Sequence, residues 1–107
     1  MGSNSHPEVR DNPGQSRFEI LVDGNVAGFA AYRRRPGALA FTHTEVDDEY
    51  EGQGLGGKLV SEALSQVKAE GLSVLPFCPF VREYIERHPE LLELVPADRR
   101  GEFDLGS

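Results

Sequence analysis

The stretch DDEYEGQGLGGKLV, residues 47–60, places four glycines within six positions and leads into a segment with helical periodicity. Apolar side chains in that segment recur at the spacing of one helix face: Leu55, Leu59, Ala63, Leu64 and Val67. Gly71 follows them and is a typical helix C-cap, so the pattern predicts a helix over residues 54–70. A turn needs only one or two glycines, so four of them indicate either a flexible loop or a backbone that must approach something closely.

Three strands are predicted before this stretch. The stretch SRFEILVDGNVAGFAAYRRRPG, residues 16–37, has the pattern of a β-hairpin, because apolar runs flank the turn signal DGN at residues 23–25, and the return strand is predicted from Val26 to Tyr32. Pro36 and Gly37 form the next turn. The segment ALAFTHTEV, residues 38–46, is rich in the β-branched and aromatic residues that strands favour, and it supplies the third strand.

One further strand and a second helix are predicted after the first helix. LSVLPF, residues 72–77, has the pattern of a short buried strand, and FVREYIERH, residues 80–88, that of a helix ended by Pro89. ELLELV, residues 90–95, adds a helical turn. The order is therefore β-β-β-α-β-α, and the crossing helix requires a right-handed connection with a parallel pairing. We predict an α/β (α+β) fold with a mixed, mostly antiparallel sheet.

The composition fits one globular domain. The 107 residues are 38% hydrophobic and 27% charged, which leaves room for one small core. We assign residues 9–96 to this domain, residues 1–8 to a disordered or expression-derived lead, and residues 97–107 to a polar tail. The sequence has no apolar run long enough for a membrane span and no signal-peptide segment.

Charge and cysteine content narrow the functional classes. The net charge of −7 disfavours nucleic acid and favours cationic partners such as amines or basic peptides. The basic run at residues 33–35 is interpreted as a solvated surface. Cys78 is the single cysteine, so no intramolecular disulfide can form, and we expect a reducing, cytoplasmic location. No metal-ligand spacing is present.

The glycine stretch joins the end of a strand to the start of a helix. The first helical N–H groups have no intrahelical partner, and the helix dipole favours an anion there, typically phosphate. Lys58 in the first turn adds a positive charge. The alternative is a flexible turn followed by acidic residues that favour a helix start for dipole reasons alone: Asp47, Asp48, Glu49 and Glu51.

Three side chains are candidates for proton or acyl transfer. His43 and Glu45 are two positions apart on the third predicted strand, so they share a face, on which we also expect Phe41. Either can accept a proton from an amine; the alternatives are a structural histidine and a solvated carboxylate. Cys78 lies between the fourth strand and the second helix, where a thiolate can act as a nucleophile; the alternative is a small buried apolar residue.

Four stretches carry a more specific signal. EGQGLG, residues 51–56, follows the pattern Gln/Arg-x-x-Gly-x-Gly/Ala with Gly54 and Gly56 in register. The other stretches are HTEV, the succession DG…AG…Y, and FCPFVREYIERHPELLELV at residues 77–95. Together they resemble the GNAT superfamily of N-acetyltransferases, and specifically a subfamily of very small, single-domain GNAT-like proteins. The resemblance covers roughly residues 17–95.

The resemblance implies acetyl-CoA as cofactor, with a strand N–H near Val46 polarising the thioester carbonyl. Tyr84 resembles the helix tyrosine that protonates the leaving thiolate in many GNATs, although a packed amphipathic tyrosine is the alternative. Cys78 resembles a cysteine near the thioester end of CoA. The positions implied to bind the cofactor are Val46, Gly52, Gln53, Gly54, Gly56, Gly57 and Lys58. Glu51 departs from the family pattern, which has Gln or Arg at this position. As a consequence, a carboxylate stands beside the expected pyrophosphate.

Three functions follow as hypotheses. The first is an acetyl-CoA-dependent N-acetyltransferase acting on a small amine, or on a lysine or N-terminal amine, as a monomer or weak dimer. The second is a CoA or acyl-CoA binding module with little catalysis, which the short chain favours because few residues remain to build an acceptor pocket. The third is an interaction domain whose glycine loop binds nothing.

Overall fold

The computed structural model describes residues 7–50 and 52–105. The strands and α-helices follow in the order β1 (Glu8–Asn12), β2 (Arg17–Val22), β3 (Asn25–Arg35), β4 (Ala38–Val46), α1 (Leu55–Ala69), β5 (Ser73–Pro76) and α2 (Pro79–Arg87). Short 3-10 segments occupy Asp48–Tyr50, Pro89–Leu94 and Ala97–Phe103. Within the described part of the chain, no helix is long and apolar enough to cross a membrane.

The strands form one sheet in the order β1-β2-β3-β4-β5. Neighbouring strands from β1 to β4 are antiparallel, and β4 pairs with β5 in parallel across the α1 connection. The predicted fold class is therefore confirmed: a mixed, mostly antiparallel sheet with helices. The parallel pair arises because a helix of this length returns the chain to the same end of the sheet.

The first strand is absent from the predicted order β-β-β-α-β-α. β1 begins at Glu8, a residue that we had assigned to the lead, and it pairs with β2 from Glu8 opposite Leu21 to Asn12 opposite Arg17. Its sequence EVRDN contains a single apolar residue, so it lacks the alternation that identifies a strand. Pairing with β2, rather than its own pattern, makes this segment extended.

The core lies between α1 and one face of the sheet, which we call the inner face. α1 contacts all five strands. Its buried residues are those that set the helical periodicity, with Val60 in addition: Leu55, Leu59, Val60, Ala63, Leu64 and Val67. On the sheet, the rings of Phe18, Tyr32 and Phe41 lie within 6.1 Å of one another, centroid to centroid. Tyr32 also donates from its hydroxyl to Asp11 at 2.6 Å.

The segment that we expected to be a polar tail packs on the core. Phe103 and Leu105 are buried, and the ring of Phe103 lies edge-on to Phe77 with centroids 5.0 Å apart. Arg100 donates from Nε to the carbonyl of Val95 at 3.0 Å, which fixes the turn. Two apolar residues in a polar stretch form no recognisable period, so the sequence did not indicate their burial.

A β-bulge in β4 changes the face on which His43 lies. Ala31 is opposite His43, whereas the next residue, Tyr32, is opposite Phe41, so Thr42 is an extra residue in β4. Residues on either side of a bulge lose the simple alternation of a strand. Phe41 is therefore buried on the inner face, while His43 is exposed on the opposite, outer face. Our expectation that these two side chains share a face was wrong.

A buried carboxylate on the outer face makes stability depend on pH. Glu19 is 7% exposed and accepts hydrogen bonds from Arg17 Nε at 2.8 Å and Asn12 Nδ2 at 3.1 Å. Burial alone would raise the pKa of Glu19, but these bonds and the Arg17 charge outweigh it and lower that pKa below its usual 4.5. A lowered native pKa means that the ionised form stabilises the fold above the unfolded-state pKa, and that this stabilisation is lost as the pH falls through the native pKa.

We therefore expect Glu19→Gln to lower the free energy of unfolding at pH 7, because the amide keeps the shape but loses the charge on which Arg17 depends. The difference from the parent protein should shrink as the pH falls through the lowered native pKa of Glu19, where this carboxylate becomes protonated. Urea unfolding at a series of pH values measures the difference in free energy of unfolding between variant and parent, and Glu83→Gln, at an exposed position on α2, is the control. A difference that is constant from pH 7 to pH 3 would contradict this origin.

Candidate functional site

The sheet opens between β4 and β5. Their parallel register ends with Phe41 opposite Pro76, although β4 itself continues to Val46. The chain leaves β5 immediately afterwards: the N–H of Cys78 donates to the carbonyl of Phe41 at 2.8 Å, and α2 begins at Pro79. The second half of β4 therefore has an edge that faces the start of α2 instead of a neighbouring strand.

The backbone direction of β4 places the N–H of Val46 at this open edge. The N–H of Asp47 donates to the carbonyl of Ala27 at 2.8 Å and therefore points toward β3. Because successive N–H groups of a strand point to opposite edges, the N–H of Val46 points away from β3. The structure thus presents a backbone donor at the position predicted to face a thioester carbonyl.

The glycine loop ends at an α1 start that has no side-chain cap among the described residues. Gly52 and Gly54 have φ angles of 84° and 72°, in the left-handed region that glycine adopts without strain. The first helical hydrogen bond runs from the N–H of Lys58 to the carbonyl of Gly54 at 3.2 Å. The three preceding N–H groups, those of residues 55–57, thus have no intrahelical acceptor.

The acidic residues before the loop are not part of the helix start. Asp48 and Glu49 belong to the separate 3-10 segment Asp48–Tyr50, and the first turn of α1 carries no acidic side chain. Asp48 and Glu49 therefore do not occupy the first turn of α1, where an acidic side chain would favour the helix dipole. Glu51, which departs from the family pattern, lies outside the described residues.

A cleft of about 270 Å³ lies between the β4 end, the glycine loop and α2. It is lined by Val46, Tyr50, Gly52, Gly54, Leu55, Gly56, Gly57 and Phe80. The ring of Phe80 crosses this cleft so closely that a Cβ on Gly56 would lie 2.7 Å from its Cζ atom. A Cβ on Gly57 would lie 3.9 Å from Cε2 of Tyr84, so Tyr84 also borders the helix start.

Cys78 adjoins the open edge of β4. Its side chain is 3% exposed, and its Sγ lies 3.2 Å from Oγ1 of Thr44, with either atom able to donate. Thr44 and Val46 are on the inner side of β4, so the thiol is next to the part of the strand that carries the Val46 donor. The structure therefore brings Cys78 close to the predicted thioester position, as a buried and hydrogen-bonded group.

Tyr84 is held in place by His88. The two rings stack with centroids 4.1 Å apart and an interplanar angle of 18°. His88 Nδ1 lies 2.8 Å from the carbonyl oxygen of Tyr84. Because a carbonyl only accepts, Nδ1 carries the hydrogen and donates it. This contact limits the rotation of His88 and leaves Tyr84 sandwiched between that ring and the first turn of α1.

His43 and Glu45 lie together on the outer face. His43 Nε2 is 3.0 Å from Glu45 Oε1, and the two side chains are 60% and 59% exposed. The ring of Phe29, which is 5.9 Å from that of His43 between centroids, supports the histidine from β3. The open edge of β4 thus has the glycine cleft on one face and a histidine–carboxylate pair on the other.

Two predicted cofactor positions are outside the lining of the cleft. Gln53 is exposed, and Lys58 is directed to Glu62, with its Nζ 3.6 Å from Oε2. Conversely, the sequence reasoning did not select Tyr50 and Phe80. Phe80 belongs to the quoted stretch FCPF and is a large apolar residue exposed beside a helix start, which was the available signal.

Comparison with known proteins identifies a family for most of the chain. A family model described as GCN5-related N-acetyl-transferase matches residues 17–94, which include β2 through α2 and the 3-10 segment after it. No curated protein matches the chain.

Proposed function

Because the chain belongs to the GCN5-related N-acetyltransferase family, we propose that it transfers the acetyl group of acetyl-CoA to a primary amine. The observation that carries this proposal is the open edge of β4 directly beside an uncapped, glycine-lined helix start. That combination offers a backbone donor for a carbonyl and a row of N–H groups for a pyrophosphate within one cleft.

The residues of the cleft fit a CoA pyrophosphate. The left-handed glycines Gly52 and Gly54 have no heavy atom within 4 Å of their would-be Cβ positions, so an anion can approach the backbone directly. The N–H groups of residues 55–57 point along the helix axis toward the same space. Binding there stabilises negative charge through the dipole of α1 without needing a basic side chain, which suits the pairing of Lys58 with Glu62.

The chain also has groups for each proton and charge that acetyl transfer moves. Bound acetyl-CoA supplies the activated acetyl group. In this proposal the Val46 N–H stabilises negative charge on the acetyl oxygen, Tyr84 donates a proton to the departing sulfur, and the His43–Glu45 pair takes a proton from the amine. Cys78 lines the thioester end of the site and does not form a bond to the acetyl group.

Thermal unfolding with and without CoA tests the binding half of the proposal. A ligand at 100 times its Kd stabilises the native state by about 2.7 kcal/mol, which shifts the melting temperature by roughly 10 °C or more for a domain of this size. Millimolar CoA and acetyl-CoA should both raise that temperature. Release of free thiol from acetyl-CoA with a panel of amines then tests transfer. Binding without turnover would make the protein a CoA-binding module, and no binding would remove the CoA function altogether.

We expect Cys78→Ala to leave kcat within about threefold of the parent value and to raise KM for acetyl-CoA, because a buried thiol that only lines the site affects affinity more than rate. Cys78→Ser, which keeps a partner for Thr44, should be closer to the parent still. Mass spectrometry after incubation with acetyl-CoA alone should find no acetylated Cys78. An acetyl adduct on Cys78, together with lost turnover in both variants, would instead establish covalent catalysis.

A further inference from the structure

Two arginines lie on the outer face, beyond the His43–Glu45 pair. Arg33 and Arg35 are two and four residues after Ala31 on β3, and Ala31 is directly opposite His43. Residues two apart on a regular strand share a face, so both arginines are on the side of the sheet that carries His43. Their partners across the strand pair are Ala40 and Ala38, both small and buried.

Within the described residues Arg33 and Arg35 form no ion pair, whereas four other basic residues do. The chain has 18 acidic against 11 basic residues, so a basic side chain has carboxylates in excess around it. Elsewhere the pairs are Arg17–Glu19, Lys58–Glu62, Lys68–Glu93 and Arg99–Glu102. In the described residues, by contrast, Arg33 and Arg35 are exposed and neither is within ion-pair distance of a carboxylate.

Two hollows meet at Arg35, and Arg33 lines one of them. One, of about 530 Å³, is bordered by Ala31, Arg33, Arg35 and Thr42, the residue next to His43. The other, of about 450 Å³, extends from Arg35 along the outer side of β5 to Phe77. The surface therefore runs from a proton-accepting pair, past small and apolar side chains, to two unpaired cations.

We propose that this surface is the acceptor site, and that the acceptor is a primary amine that also carries an anionic group such as a carboxylate. The inference rests on the function proposed above. Arg33 lies two residues and Arg35 four residues along β3 from the position opposite His43, or about 7 and 13 Å at the usual strand rise. An amine at His43 thus places a carboxylate several ångströms away within reach of a long guanidinium side chain, where a bidentate contact is available.

This acceptor differs from the one that net charge suggests. The overall charge of −7 favours a polycationic partner at long range, but such a field is screened by salt within about 8–10 Å. At contact distance the two arginines repel a second positive group and attract a negative one. Both a free amino carboxylate and a peptide lysine followed by acidic residues have the required chemistry.

Steady-state kinetics with matched acceptors tests the proposal. For a series of omega-amino carboxylates of increasing chain length, kcat/KM should be at least about tenfold higher than for the carboxamide analogue of equal length. The peptide arm compares two peptides whose N-terminal α-amine is blocked by acetylation and whose lysine ε-amine is free: Lys-Glu-Glu and Lys-Gln-Gln. Preference in the first arm alone indicates a small-molecule acceptor, and preference in the second a protein acceptor. Equal kcat/KM within each pair in both arms overturns the proposal.

Variants separate this proposal from the underlying function. The double variant Arg33→Ala/Arg35→Ala should abolish the preference for the carboxylate and leave the rise in melting temperature with CoA intact. Arg87→Ala on α2 is the matched control and should change neither. If the double variant retains the preference, the arginines do not bind the acceptor. If CoA itself gives no stabilisation, the proposed function fails first, and NMR shifts of the Arg33 and Arg35 Nε–H signals with the amino carboxylate decide the binding question independently.

Discussion

Replacement of Gly56 by valine is expected to weaken the binding of CoA and acetyl-CoA by about 100-fold, which corresponds to about 2.8 kcal/mol of binding free energy. A Cβ at this position would lie 2.7 Å from the Phe80 ring, inside the cleft in front of the α1 start. The two valine methyl groups would extend further into that space. The pyrophosphate would then be unable to approach the N–H groups of the first turn.

The fold should tolerate the same change. Phe80 is 44% exposed, so its ring can rotate into solvent instead of forcing the backbone to move. Gly56 has a helical φ, and valine, although β-branched, favours a helix over glycine by roughly a few tenths of a kcal/mol, which offsets a small part of the packing cost. The melting temperature without ligand should therefore change by only a few degrees.

Isothermal titration of CoA into Gly56→Val measures the affinity. Gly101→Val is the matched control, because a Cβ there meets nothing within 4 Å and the site is remote from the cleft. Phe80→Ala separates two causes of weaker binding in Gly56→Val. If the Phe80 ring itself contributes to CoA binding, Phe80→Ala also loses affinity. If valine acts only by blocking the cleft, Phe80→Ala keeps the affinity of the parent protein. Unchanged affinity in Gly56→Val would return the glycine loop to a simple connection between elements.

The sequence predicted the elements whose pattern is local. β4 begins at Ala38 and ends at Val46, as its β-branched and aromatic content indicated, and α1 differs from prediction by one residue at each end. β1 and the C-terminal segment were not foreseen, because both are ordered by partners distant in the chain. β1 depends on pairing with β2, and the C-terminal segment on the burial of Phe103.

The candidate site also has a part that could be predicted from the sequence and a part that could not. The resemblance carried by the glycine stretch implied the glycine positions and the Val46 donor, and five of these residues line one cleft in the structure. The side of the sheet on which His43 lies could not be predicted, because a single bulged residue, Thr42, reverses the alternation. The closeness of Phe80 to Gly56 depends on how α2 packs against α1, which no sequence period encodes.

Replacement of His43 is the second change for which we expect a large effect. It should lower the rate of acetyl transfer and leave the affinity for the cofactor unchanged. His43→Ala is expected to lower kcat by about 100-fold, within the usual range for removal of a general base. A carboxylate oxygen only accepts, so Nε2–H of His43 donates to Glu45 across 3.0 Å and Nδ1 is left to take the proton of the amine. Glu45→Gln orients the ring less well and should cost only about tenfold.

Chemical rescue distinguishes a proton-transfer role from a structural one. Since the His43 side chain is 60% exposed, free imidazole can enter the space left in His43→Ala, and its addition should restore part of the rate in proportion to its concentration. The rise in melting temperature with acetyl-CoA should match that of the parent, because the pair lies on the face opposite the glycine cleft. Glu86→Gln, an exposed change on α2, is the control. A His43→Ala rate within twofold of the parent, or a reduced rate that imidazole leaves unchanged, would remove His43 as the base and shift proton transfer to water or another group.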